Sequence, residues 1–275
     1  MTTTAPTMLE IPRDRYGRPL VVPLDGGDPV PYVRVSTIAK LLDDTSALEA
    51  WKQRMVAVGV ATNPHLRTRV QGVVNLYDDP IKEGRRDLNS ICEEARNTAG
   101  ATKAASSGTG YHELTQAIDL GRTLTGIDPD MRAHLDEYAR ATAHLEHVEI
   151  ERFVVNDEIQ AAGTPDRFVR IPDGRVICAD LKTGANEPYY PRGVTIQEAI
   201  YSNASNYNPE TFERTPIHPD LDPTLGLLIH MPLIGEPTTR LYWLNLERGW
   251  AEARVAANLH KIRATKAHEY IREAS

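Results

Sequence analysis

Two acids and a lysine stand close together in the segment from 163 to 184, which reads GTPDRFVRIPDGRVICADLKTG. Alternate residues of a β-strand point to the same face, so Asp180 and Lys182 should project together. Asp166 should lie on the neighbouring strand, because the Pro-Asp-Gly sequence at 172–174 favours a tight turn between two strands. This spacing predicts two carboxylates that converge beside an amine.

Converging carboxylates repel each other, and a divalent cation with oxygen ligands relieves that repulsion. Mg²⁺ suits such a site because it keeps several waters and needs few protein carboxylates. A metal there can polarise a phosphate oxygen and acidify a bound water, which is the chemistry of phosphodiester hydrolysis. Lys182 could steer that water, stabilise the charge that grows on phosphorus, or act as a base if burial lowers its pKa.

Four short motifs follow one another along the chain, and together they resemble a known nuclease family. They are G-T-x-x-H (Gly108, Thr109, His112), G-x-x-D (Gly163, Asp166), D-x-K (Asp180, Lys182) and Q-x-x-x-Y (Gln197, Tyr201). In this order they are similar to the RecB-like branch of the PD-(D/E)XK nuclease superfamily, which includes phage exonucleases and CRISPR-associated nucleases. The resemblance covers roughly residues 105–246. Some members of that branch hold a four-cysteine iron–sulfur cluster, which the two cysteines of this chain, Cys92 and Cys178, cannot supply.

The resemblance implies a role for each motif residue. The metal, Mg²⁺ or Mn²⁺, would be bound by His112, Asp166, Asp180 and the backbone carbonyl of Leu181. Lys182 would be the catalytic lysine, with Gln197 and Tyr201 orienting it or holding DNA phosphates from one face of a helix. Glu151, on the strand before Asp166, is a candidate outer acid.

The elements that must position these residues can be predicted from hydrophobic periodicity and turn signals. An irregular or short-strand lead-in over 1–34 should precede a helical module, and together they form a predicted first domain, 1–104. A RecB-like nuclease core with a C-terminal helix should occupy 105–275. The element order predicts the α/β class around one mixed sheet, and the resemblance implies a restriction-endonuclease-like αβββαβ core. The predicted elements are a helix over 81–104, a break at 106–110, helices from 111 and over 130–146, strands over 148–155, 159–171 and 175–183, a helix over 191–206, strands over 225–233 and 240–246, and a helix over 247–273.

Charge is distributed unevenly along the 275 residues. The net charge is −7, which argues mildly against nucleic acid as a partner. Residues 51–110, however, carry nine basic and six acidic residues, a net charge of +3, whereas residues 112–166 carry twelve acids and four arginines, a net charge of −8. An acidic centre with a basic flank is compatible with a metal site beside a polyanion. We assign DNA contacts to Arg85, Arg86, Thr109 and Arg167.

These observations predict a metal-dependent DNA nuclease of the cytoplasm that degrades DNA from its ends in recombination, repair or phage DNA processing. No helix-turn-helix or zinc finger is apparent that could read bases. A nuclease-fold module that binds DNA or protein without cutting remains an alternative, as does an endonuclease with the same site. A recombinase or a single-strand-binding protein is a possible partner, whereas a membrane is not expected. The sequence contains no P-loop, and the pair His144 and His147 is predicted to be a solvated surface rather than a zinc site.

Overall fold

The computed structural model describes residues 10–184 and 191–271, and within them the side chains of 101–109 and Ala267 are not described. The chain forms two compact units. A helical unit comprises Asp44–Glu113, and a sheet unit combines Met1–Asp43 with Leu114–Ser275. No helix in the described part of the chain is long and apolar enough to span a membrane.

Eight α-helices and twelve strands are found in the described residues. The helices are α1 (Val35–Ala39), α2 (Ser46–Thr62), α3 (Pro64–Leu76), α4 (Arg85–Thr98), α5 (Ala101–Asp119), α6 (Pro129–Thr142), α7 (Arg192–Ser202) and α8 (Leu246–Arg263). The strands are β1 (Leu20–Val21), β2 (Val30–Pro31), β3 (Val33–Arg34), β4 (Glu146–Ile150), β5 (Val154–Asn156), β6 (Ala161–Gly163), β7 (Arg167–Arg170), β8 (Val176–Lys182), β9 (Ser205–Tyr207), β10 (Arg214–Thr215), β11 (Leu221–His230) and β12 (Arg240–Asn245).

The sheet unit contains two five-stranded sheets. One has the order β12-β11-β8-β7-β4, with β8 and β11 parallel and the other neighbours antiparallel. The other has the order β10-β9-β5-β6-β3, and β1 pairs with β2 separately. The α/β class with a mixed sheet is confirmed, but the prediction of a single sheet is wrong.

Two predicted strands are each divided between the two sheets. The segment 148–155 bends at Glu151, whose φ of 48° lies in the left-handed region, so β4 and β5 join different sheets. The segment 159–171 is interrupted at 164–166, where Pro165 lacks the N–H that a continuing strand would need. The chain therefore changes sheets twice before it reaches β7.

The predicted hairpin between β7 and β8 is confirmed. Gly174 closes the turn with a φ of 96° and donates its N–H to the carbonyl of Ile171 at 2.9 Å. Such a φ is easily adopted by glycine and strained for other residues. β8 is buried from Val176 to Leu181, as expected for a central strand with elements on both faces.

A continuous hydrophobic core lies between this sheet and helices α1, α7 and α8. It includes Phe168 and Cys178 from the hairpin, Ile196 and Ile200 from α7, and Ala253 from α8. β8 precedes α7, and the chain returns at β11, which is parallel to β8. Helix α7 is thereby fixed beside the end of the hairpin.

The helical unit has its own small core of Leu66, Val73, Ile91 and Ala95. Asn63 caps α3 by accepting hydrogen bonds from the backbone N–H groups of His65 and Leu66.

The boundaries of the helical unit differ from the predicted domain limits at 104 and 105. The predicted helix over 81–104 is not continuous, because Gly100 adopts a φ of 100° and separates α4 from α5. The predicted break at 106–110 is wrong, since α5 is continuous through those residues. Residues 10–43 belong to the sheet unit, where β3 pairs with β6 and α1 joins the core against α7.

Candidate active site

Asp166 and Asp180 meet at the open end of the β7–β8 hairpin. Arg167 pairs with Ala179 in the antiparallel register, so Asp166 immediately precedes the pairing and faces the position of Asp180. The Oδ2 of Asp166 accepts a hydrogen bond of 2.9 Å from the backbone N–H of Leu181. Asp166, immediately before β7, therefore lies beside Asp180 of β8, as predicted.

Two further predicted residues contact Asp180. Lys182, two positions along β8, donates its ammonium to Oδ2 of Asp180. Gln197 of α7 donates its amide Nε2 to Oδ1 at 2.9 Å. Both oxygens of this buried acid are hydrogen-bonded, which fixes its orientation. The structure thus brings together four of the predicted site residues around one carboxylate.

Electrostatics at this position oppose the ionised form of Asp180. Burial raises the pKa of Asp180 to about 6, and Asp166 adds to the rise, while Lys182 opposes it. Burial acts to lower the pKa of Lys182, but the Asp180 carboxylate outweighs it and the net pKa of Lys182 is raised. Lys182 is therefore a cation beside the acid pair, and the hypothesis that it serves as a base is not supported.

Tyr201 lies one helical turn from Gln197 and is buried. Its side chain packs on Gly163, where an added Cβ would lie only 2.8 Å from the Tyr201 hydroxyl oxygen. The glycine of the G-x-x-D motif and the tyrosine of the Q-x-x-x-Y motif are thus in direct contact. Burial raises the pKa of Tyr201, which keeps the phenol neutral. The contact places Tyr201 in the packing between β6 and α7 and gives it no hydrogen bond to Lys182.

The other predicted site residues are less closely defined. His112 lies half-buried on α5 in the helical unit, so its role as a metal ligand stays a prediction. The side chain of Thr109 lies outside the described residues. Arg85 and Arg86 are exposed on α4, as DNA contacts would require. The predicted use of the Leu181 carbonyl as a ligand likewise stays a prediction.

Arg167 does not have the predicted role. Its side chain is 2% exposed, and its Nη1 lies 2.7 Å from Oδ2 of Asp119, the last residue of α5. Tyr138 of α6 donates its hydroxyl to the same carboxylate at 2.8 Å. A guanidinium buried in this way cannot contact DNA phosphates. Arg167 instead neutralises a buried acid, as buried charges require.

His147 joins the same network, with Nε2 at 3.2 Å from Oδ1 of Asp119. Burial lowers the pKa of His147, although Asp119 acts in the opposite direction. The prediction that His144 and His147 form a solvated pair is therefore wrong for His147, while His144 is exposed.

Sequence reasoning missed Glu198, which follows Gln197 on α7 and is fully buried. Its Oε2 accepts the backbone N–H of Leu227 at 3.1 Å, and Gly226 makes room for it, since a Cβ there would approach to 2.3 Å. Burial raises the pKa of Glu198 well above its usual range, and the charge of the nearby Asp180 raises it further. The signal available in the sequence was an acid within the apolar helical run IQEAI.

The donor set fits a hard divalent cation. Asp166 and Asp180 offer two adjacent carboxylates, and Mg²⁺ needs only one or two from the protein. Burial is the largest cause of the raised pKa of Asp180, and a bound cation would favour the ionised form of this carboxyl. Within residues 10–184 and 191–271, however, no group of three or more His, Cys, Asp or Glu side chains is arranged to hold a metal.

Comparison with known proteins adds no family to this arrangement. No family model matches the chain, and no curated protein matches it. The functional interpretation therefore depends on the contacts of the sheet unit described above.

Proposed function

We propose that this protein is a metal-dependent DNA nuclease with a restriction-endonuclease-like core of the RecB-like PD-(D/E)XK type. The observation that carries the proposal is that Asp166, immediately before β7, accepts the backbone N–H of Leu181 next to Asp180 on β8, with Lys182 bonded to Asp180. The order of elements supports it: helix α6, strands β4, β7 and β8, helix α7, then β11. Setting aside the strands of the second sheet leaves an order that supports an αβββαβ core.

Asp166 and Asp180 would hold Mg²⁺ or Mn²⁺, which when bound supplies Lewis acidity to the scissile phosphate and its attacking water. Gln197 keeps Asp180 oriented, so that the carboxylate does not rotate when substrate enters. The Lys182 side chain is 46% exposed, and it can donate from its remaining N–H groups to a phosphate oxygen. Its raised pKa keeps it a cation through neutral pH, which suits stabilisation of negative charge.

Degradation from DNA ends is the favoured mode. The motifs resemble the end-processing branch of the superfamily, and the helical unit carries Arg85 and Arg86 exposed on α4. Phosphate contacts of this kind supply affinity without base specificity. A binding module that does not cut is the second candidate, and one observation favours it: the described residues contain only a pair of carboxylates and no third ligand grouped with them.

The test is loss of an end-labelled linear duplex in Mg²⁺, Mn²⁺ and EDTA, with a covalently closed circle of the same sequence as control. The proposal expects metal-dependent loss of the linear DNA while the circle stays intact. Equal cutting of the circle would identify an endonuclease. Binding without any loss in Mg²⁺ or Mn²⁺ would favour the non-cleaving module.

A further inference from the structure

The edge strands of the two five-stranded sheets differ in length and in charge. An exposed edge strand can pair with a strand of another chain, because its outer N–H and C=O groups have no strand partner. Native proteins discourage such pairing with short edge strands, β-bulges or charged side chains. One sheet ends in β10 and β3, which have two residues each. The sheet that contains Asp180 ends in β4 and β12, which are longer.

β4 has two features that discourage pairing. It contains Glu146 and Glu149, and its register against β7 shifts between His147 and Glu149, as at a β-bulge. Charged side chains and an irregular register both disfavour a further strand at this edge.

β12 has neither feature. Its register against β11 is regular from Arg240 to Asn245, and residues 241–244 include no charge and no proline. Among the described residues, no strand pairs with the other side of β12. Alternate residues of an antiparallel strand direct their N–H and C=O groups to opposite sides, so half of these groups in β12 point away from β11. β12 is therefore a long, regular edge that could accept another strand.

The side chains of β12 add an apolar surface to this edge. Leu244 is buried against α7, so Leu241 and Trp243 lie on the opposite face of the strand. Trp243 is 61% exposed. A cavity of about 640 Å³ opens beside it and is also lined by Leu225 and Pro172, which leaves room for apolar side chains of a neighbouring chain. An exposed aromatic side chain in such a position is typical of protein–protein contacts.

A second copy of β12 is complementary to this edge. If two copies pair antiparallel about a two-fold axis at Tyr242, Leu241 of each copy lies opposite Trp243 of the other on the same face. Such cross-strand pairs of aromatic and aliphatic side chains are stabilising. Arg240, exposed at the start of β12, then lies near the end of the other strand, where Glu247 is exposed in the first turn of α8. Opposite charges therefore come together at both ends of the pair.

We infer that the protein forms a two-fold dimer in which the β12 strands of two copies pair antiparallel and join their five-stranded sheets edge to edge. The inference does not depend on the proposed nuclease function. A strand of an unrelated protein would pair with the backbone of β12 but would have no reason to match Trp243, Leu241 and the terminal charges.

The first test is sedimentation equilibrium of the full chain at micromolar concentrations, where we expect a dimer. Trp243→Glu places a charge at each of the two apolar pairs and should weaken dimerisation by roughly a hundredfold or more. The Trp243 side chain lies outside the core, so the variant should stay folded by circular dichroism. Trp51→Glu is the matched control, because Trp51 is also exposed but lies on α2 of the helical unit. It should dimerise like wild type.

The second test addresses the register of the two strands. Leu241→Lys combined with Trp243→Glu places a lysine opposite a glutamate at both pairs and should restore the dimer, whereas Leu241→Glu combined with Trp243→Glu should not. Hydrogen exchange provides a measurement on the unmodified protein. The backbone N–H groups of 240–245 that point away from β11 should exchange more slowly at high than at low protein concentration.

Four results would overturn the inference. A wild-type monomer at these concentrations would leave the edge to a strand of another protein. A dimer that Trp51→Glu dissociates and Trp243→Glu does not would place the interface on α2. Exchange of the 240–245 N–H groups that does not depend on protein concentration would exclude strand pairing. A folded Leu241→Lys, Trp243→Glu variant that stays monomeric would contradict the pairing of these two positions.

Discussion

Asp180 sits in the central strand β8, where every residue from Val176 to Leu181 is buried. An acid at such a position is unfavourable unless its charge is compensated. Lys182 and Gln197 compensate it in part, yet its pKa is still raised to about 6. The cation of the proposed function, if it binds beside Asp180, would offset this cost.

The raised pKa has a consequence for stability in the metal-free protein. An unfolded aspartic acid titrates near 4, so between pH ~4 and ~6 the folded state holds a proton that the unfolded chain has lost. The free energy of unfolding should therefore fall as pH rises through that window. Asp180→Asn removes this loss and should be more stable than wild type at pH 8 by about 3 kcal/mol, with little difference at pH 4.

Urea unfolding in EDTA at the two pH values measures this difference. Asp173→Asn is the control, because Asp173 is exposed and its hydrogen bonds with Arg175 lower its pKa. Asp173→Asn should show no increase in the free energy of unfolding at pH 8. A gain for Asp180→Asn that is the same at both pH values would show that the buried charge is not its cause.

At this scale, strand spacing predicted that Asp180 and Lys182 project together beside Asp166, and the motif resemblance added Gln197, which the structure places in contact with Asp180. The prediction that Arg167 contacts DNA was wrong, since an arginine on a strand can be exposed or can pair with a buried acid. That partner, Asp119, lies 48 positions away in the sequence.

At the scale of secondary-structure elements, the packing of β6 against α7 depends on Gly163. An alanine Cβ there would lie 2.8 Å from the Tyr201 hydroxyl oxygen and 3.2 Å from its Cε1. Gly163→Ala should therefore destabilise the protein by about 1–3 kcal/mol, as overpacking does. In the double variant with Tyr201→Phe, the closest clash is absent and part of that loss should be recovered.

A double-mutant cycle by urea unfolding measures the coupling between the two residues. Gly72→Ala on α3 is the control, since a Cβ there meets nothing within 4 Å. That substitution should be neutral or slightly stabilising. Strictly additive effects of Gly163→Ala and Tyr201→Phe would mean that the two side chains do not compete for space.

Sequence patterns predict the type of most elements in the sheet unit but not their sheet membership. A period of two marks a strand, whichever sheet it joins. The changes of sheet occur at Glu151, where a left-handed φ bends the chain, and at 164–166. Glu151 is not a glycine, so the sequence gives little warning of the bend there, whereas Pro165 is a signal that the second strand is interrupted.

At the scale of the whole molecule, the chain has a sheet unit with the acid pair and a helical unit with its own core. If DNA is the substrate, Arg85 and Arg86 should contribute to affinity without contributing to chemistry. Arg85→Glu with Arg86→Glu should weaken DNA binding and make its salt dependence shallower, by about 0.9 in the log–log slope for each phosphate that the protein no longer neutralises.

The measurement is duplex binding in EDTA over about 50–200 mM salt. The control reverses two exposed basic residues at the end of α8, Lys261→Glu with Arg263→Glu. It changes the net charge by the same amount. If the α8 double substitution weakens binding as much as the α4 double substitution, net charge governs the affinity and α4 is not a specific contact surface.

The central claim is that the acid pair and Lys182 hydrolyse DNA. The most direct measurement compares cleavage rates of linear duplex in Mg²⁺ for wild type, Asp180→Asn, Lys182→Ala and the exposed control Asp173→Asn. We predict that the first two substitutions lower the rate by roughly a hundredfold or more while the protein stays folded by circular dichroism. Asp173→Asn should cut at the wild-type rate. Cleavage by Lys182→Ala at the wild-type rate, or no cleavage by wild type in either Mg²⁺ or Mn²⁺, would contradict the claim.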